Sequence, residues 1–68
     1  MRLERQVGAN IRRLRKGAGL SQEKLAAEAK IDMRYLGGIE RGQENPTLKV
    51  ISDIAKGLGV KPAVLLED

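Results

Sequence analysis

The side chains able to do chemistry in this 68-residue sequence are few in kind: it holds no His and no Cys. That removes a thiolate nucleophile and a Cys-based zinc site, and leaves acid–base work to carboxylates, lysines and the single tyrosine, Tyr35. Glu23, Glu28 and Asp32 read as helix-start charges and solvated helix faces, and the dispersed glycines match no nucleotide-binding pattern. An enzyme is therefore not expected, nor a metal, a cofactor or a small-molecule substrate. Binding through charge remains. The formal charge is +4 and unevenly placed, with Arg2, Arg5, Arg12, Arg13, Arg15 and Lys16 against only Glu4 in residues 1–20. Residues 21–42 balance, and Glu44, Asp53, Glu67 and Asp68 outnumber the lysines of residues 43–68. A basic pole suits a phosphate-facing surface; on charge alone, an ordinary solvated basic helix fits as well.

The elements that must carry these groups are helical. Leu3, Val7, Ile11, Leu14 and Ala18 form an amphipathic stripe that stops at Gly17-Ala18-Gly19. Ser21 offers an N-cap for a second helix with Leu25, Ala26 and Ala29 inward, and residues 29–31 form a turn. Asp32 caps a third helix that Gly42 ends. After a loop at residues 43–46, Thr47 caps a fourth helix carrying Leu48, Ile51, Ile54, Ala55 and Leu58, ended by Gly59. Pro62 opens a short fifth helix with Val64, Leu65 and Leu66. No stretch alternates as a strand would. The expected fold is all-α, a compact five-helix bundle in one domain over residues 1–68. Without disulfides so small a chain must rely on packing or dimerisation. No apolar run approaches the roughly 20 residues of a membrane span, and the charged start leads into no signal-peptide core, so no membrane contact and a cytoplasmic location are expected.

The helices over residues 21–29 and 33–41, joined by a tight turn, have the spacing of a helix-turn-helix, which many small bundles share. The residues narrow the choice. Through Ile11, Leu14-Arg15, Leu20-Ser21-Gln22-Glu23, Leu25-Ala26, Ile39-Glu40-Arg41-Gly42, Asn45-Pro46-Thr47-Leu48 and Ile54-Ala55-Lys56-Gly57-Leu58-Gly59-Val60, the sequence from Val7 to Leu66 resembles the phage-repressor-like (xenobiotic-response-element-type) helix-turn-helix family. Asp32, Tyr35, Gly38, Ile39, Glu40 and Arg41 look most like the recognition segment of controller proteins in restriction–modification systems.

The resemblance implies a lambda-repressor-like DNA-binding fold and a transcriptional regulator of double-stranded DNA, with the third helix in the major groove and the second across the backbone. Met33, Arg34, Tyr35, Gly37 and Gly38 are then the expected base-facing positions. Arg34 alone among them can read a base by a hydrogen-bonded fork, to guanine. Met33 touches a thymine methyl or merely faces solvent, and Tyr35 reaches the groove or packs inward. The two glycines admit close backbone approach or are simply tolerated; relatives commonly have Ser at the first, so a hydroxyl contact is missing. Phosphate contacts are expected from Arg15, Ser21, Gln22 and Arg41, with Arg15 also paired to Glu40. Glu44 departs from the basic loop of relatives. An acid there is repelled by phosphate unless it points away, so neither Gln43 nor Glu44 is assigned a DNA contact. Leu48, Ile51, Val60, Val64, Leu65 and Leu66 exceed what one small core obviously needs and are the expected interface of a homodimer on a palindromic operator. The rival reading is an antitoxin-like or other helical protein-interaction module.

Overall fold

Short polar side chains set where the inner helices begin. The computed structural model describes residues 2–68, with Met1 outside the described residues. It contains α1 (Leu3–Gly17), α2 (Gln22–Ala29), α3 (Met33–Glu40) and α4 (Leu48–Leu58), followed by a 3₁₀ helix (Pro62–Leu66). Ser21 Oγ accepts the Lys24 N–H at 3.0 Å, Asp32 Oδ1 the Arg34 N–H at 2.7 Å and Thr47 Oγ1 the Val50 N–H at 3.1 Å. Each satisfies a donor that has no partner inside its own helix. The expected fifth α-helix is instead the 3₁₀ helix. Five residues are too few to offset the cost of helix nucleation, and tighter bonds such as Val64 N–H to Lys61 C=O take over.

All the α-helices stop by one device. Gly19, Lys30, Gly42 and Gly59 lie at positive φ, and the N–H of the following residue reaches back five positions, as from Val60 to the Ala55 carbonyl at 3.0 Å. Lys30, at φ 60°, is the departure. Its Cβ makes the left-handed conformation costly, by roughly 1–2 kcal/mol, and this strained residue is the turn between α2 and α3.

The core comprises Val7, Ile11, Leu25, Ala26, Ala29, Leu36, Ile39, Ile51, Ile54, Ala55 and Leu65. α2 packs chiefly on α4, and α1 on α3 and the 3₁₀ helix. The expected α1 stripe holds in its middle and fails at its ends, where Leu3 and Ala18 are exposed. α1 has 15 residues while α2 and α3 have 8 each, so its ends outrun their partners. Asn10 is buried within the stripe, donating to the carbonyls of Leu65 (3.0 Å) and Glu67 (2.7 Å), and Gln6 donates to the same Glu67 oxygen at 2.7 Å. These amides strap the last residues onto α1.

Gly8 sets how closely α1 meets α3. A Cβ there would strike the Ile39 carbonyl oxygen and lie 2.8 Å from that of Glu40, both backbone atoms. Gly8→Ala gains about 1 kcal/mol of helix propensity. Forcing the backbones apart costs more, typically about 1–3 kcal/mol and upward. The expected outcome is a net loss, with a thermal midpoint lower by on the order of 10 °C; a raised midpoint would mean that the two helices are not in backbone contact.

Candidate nucleic-acid interface

α3 divides its residues sharply between two faces. Leu36 and Ile39 enter the core, and Glu40 turns inward beside them. Positions 33, 34, 37, 38 and 41 share the opposite face, as the helical repeat requires. Met33 is 48% exposed and the Arg34 side chain 91% accessible. The Arg34 side chain leans on Asp32 at a loose 3.5 Å. The Asp32 carboxyl is held below the usual carboxylate range, first by the Arg34 backbone N–H and then by the Arg34 side chain, so the cap stays ionised at neutral pH. Tyr35 is half-buried with its ring packed against the core, which favours the inward alternative for most of the side chain.

Gly37 and Gly38 are not bare. Both are buried, because side chains from neighbouring segments fill the space that their missing Cβ atoms leave. The Arg41 guanidinium would lie 3.2 Å from a Cβ at Gly37, with the Gln22 amide at 3.8 Å, and Glu44 Cγ 2.7 Å from one at Gly38. The two glycines expected to face DNA are thus covered by side chains in this structure. The side chains over them are those of Arg41, Gln22 and Glu44.

Arg15 and Glu40 form the expected pair, and more completely than expected. Arg15 Nε donates to Glu40 Oε2 at 2.7 Å, one terminal nitrogen to Glu40 Oε1 at 3.1 Å and the other to the Leu20 carbonyl at 2.8 Å. Each guanidinium nitrogen has one partner within the protein and the residue is only 8% exposed, which gives Arg15 a structural role beside the phosphate contact expected of its remaining N–H groups. Gln22 donates its amide to Glu40 Oε1 at 3.1 Å. One of the two amide N–H groups is thereby used within the protein, and the other, with the backbone N–H at the start of α2 beside Ser21, could face a phosphate. Arg41 is exposed, and Gln43 Oε1 accepts from its Nε at 3.1 Å. Nothing in the sequence marked Gln43 as the residue that orients Arg41.

The residues expected at a dimer interface separate. Leu65 is fully buried and Ile51 is 7% exposed, so both belong to the core; Val60 and Val64 are half-buried. Leu48 and Leu66 are exposed, by 81% and 41%, and so is Leu3, by 60%, which nothing in the sequence pointed to. These three line a groove of about 310 Å³ with Val7, Pro46 and Ile51. Among the described residues no helix is long and apolar enough to cross a membrane, and no three potential metal ligands are grouped.

A family model described as helix-turn-helix matches residues 11–65. The chain is 43% identical over 61 residues to the control protein C.BamHI of Bacillus amyloliquefaciens, covering 88% of this chain and 75% of that protein. It is 38% identical over 66 residues to an uncharacterized HTH-type transcriptional regulator of Sinorhizobium fredii, covering 97% and 86%. The crystal structure of the restriction-modification controller protein C.AhdI from Aeromonas hydrophila superposes with a TM-score of 0.89 at 42% identity, over 91% of this chain and 94% of that one.

The buried bridge is open to a direct test. Removing one partner strands the other charge out of water, which typically costs about 3–5 kcal/mol, whereas replacing both by apolar side chains is often close to neutral. In urea unfolding, Arg15→Met and Glu40→Leu should each be severely destabilising and the double variant far less so than their sum. An interaction energy near zero in this cycle would mean that the two charges act independently.

Proposed function

We propose that this chain, which belongs to the helix-turn-helix family of DNA-binding transcriptional regulators, works as a homodimer on a palindromic operator and serves as the control protein of a restriction–modification system. The observation that carries this reading is the outward face of α3, where Arg34 projects freely while the Arg15–Glu40 bridge fixes the helix that bears it. Laid in the major groove, α3 would present the Arg34 fork to guanine O6 and N7, and Met33 to a thymine methyl. The start of α2, at Ser21 and Gln22, and the guanidinium of Arg41 would hold flanking phosphates. The role is binding without catalysis, in one domain, in the cytoplasm. The controller assignment rests on the similarity to C.BamHI and C.AhdI.

Size is one ground for a dimer. The molecule is 28 Å in its longest dimension, and successive half-sites lie roughly 34 Å apart, so one copy spans only one of them. Leu3, Leu48 and Leu66 supply an apolar patch that a twofold axis could make self-complementary, and they replace Leu65 and Ile51 as the residues on which the interface depends.

Two outcomes are expected. In selection from a random duplex pool the protein should recover a palindrome, with affinity falling steeply as salt rises. Arg34→Ala should relax one position in each half-site by about 1–3 kcal/mol; a uniform loss of affinity with an unchanged profile would make Arg34 a phosphate contact. In sedimentation equilibrium at micromolar concentration, Leu48→Glu and Leu66→Glu should shift a dimer to monomer while leaving the helical spectrum intact. A wild-type protein that stays at monomer mass, with or without palindromic DNA, would refute the dimer.

A further inference from the structure

We infer that Glu44 is a second base-reading residue of this protein, selecting cytosine in the major groove from a seat on Gly38. This rests on the groove-facing placement of α3 proposed above. The seat is built by the end of α3. Gly42, at φ 76°, turns the chain back, and the Gln43 N–H bonds to the Gly38 carbonyl at 2.9 Å, which holds the next residue against the helix. The Glu44 side chain then lies over Gly38, its Cγ 2.7 Å and its Oε2 3.4 Å from where a Cβ would stand. Only a glycine leaves room for it.

Gly38 is four residues, just over one helical turn, beyond Arg34 on the same outward face, about 6 Å along the axis, a step of about two bases. Among the described residues the ion pairs are Arg15–Glu40, Arg34–Asp32 and Lys49–Asp53, and the Glu44 carboxylate takes part in none of them. It thus reaches the face as an unneutralised acceptor. A carboxylate brought to DNA is repelled by phosphates and finds donors only on base edges. Cytosine offers its N4 amino group with no acceptor beside it on the same base. Adenine pairs its N6 donor with the N7 lone pair, which repels a second acceptor, and guanine and thymine present acceptors alone. Arg34 and Glu44 would therefore read neighbouring positions with opposite chemistry, guanine by a donor fork and cytosine by an acceptor.

Selection from a random duplex pool, run on the wild type and three variants, tests this. The wild type should require cytosine at one position of each half-site besides the one governed by Arg34. Glu44→Ala should abolish that preference, a change of roughly 5- to 150-fold in discrimination. Glu44→Gln should move it toward adenine, whose N6 and N7 an amide can pair together. Gly38→Ala keeps the charge but displaces the carboxylate from its seat, and should blunt the same position. If Glu44→Ala raises affinity for all sequences equally with the profile intact, or Gly38→Ala keeps the full cytosine preference, the inference is overturned. A wild type that selects no sequence at all would overturn the placement of α3 itself, an outcome distinct from a selective wild type indifferent to Glu44.

Discussion

A guanidinium and a carboxylate taken out of water lose more in hydration than their attraction returns, unless every further hydrogen-bonding position is also filled. At Arg15 and Glu40 every nitrogen and carboxylate oxygen has at least one partner, with Leu20 and Gln22 completing the set, and among the described residues no buried side-chain nitrogen or oxygen is left without one. The arrangement ties the end of α1, the loop after it, the start of α2 and the end of α3 to a single point. Because the bridge is directional where apolar packing is not, it fixes the angle of α3 against the body, and with it the position of Arg34 at the other end of the same helix.

The rest of the site is arranged around space rather than charge. Gly8 lets the α1 and α3 backbones touch, which brings Arg15 within reach of Glu40. Gly37 and Gly38 leave a trough on the outer surface of α3, and Arg41, Gln22 and Glu44 lie over it. A helix with side chains at both positions would present a convex ridge to DNA. This one carries polar groups from Gln22 and Glu44 and from its own C-cap Arg41 over that trough, beside Met33 and Arg34 of the helix itself.

A small domain has little apolar surface to spare, and its leucines divide according to where the backbone ends. Leu65 is drawn into the core because Asn10 and Gln6 hold the backbone around it against α1. Leu66, its neighbour, then points away, near Leu48 and Leu3 on a surface continuous with the core. The core and the exposed apolar groove therefore meet along the same seam.

Local information in the sequence was enough for the helices and most of their ends: Ser21, Asp32 and Thr47 act on donors two or three residues away, and the four residues at positive φ act on their own helix ends. The family motif likewise marked the recognition helix, Arg34 at its start and the Arg15–Glu40 pair. What the sequence left open depends on which side of a residue another segment falls. Periodicity places Leu65 and Leu66 in one apolar run, and only the strap from Asn10 and Gln6 decides that the first is core and the second exposed. Composition made Glu44 an acid unsuited to DNA, and only the return of the chain after Gly42 seats it on α3. Arg15 reads as the partner of Glu40 with N–H groups to spare, and only the fold turns one of its terminal nitrogens onto the Leu20 carbonyl. Caps and turns are local bonds and can be read along a chain, but the choice between core and surface, or between a spent and an available charge, is made by contacts between residues far apart in sequence.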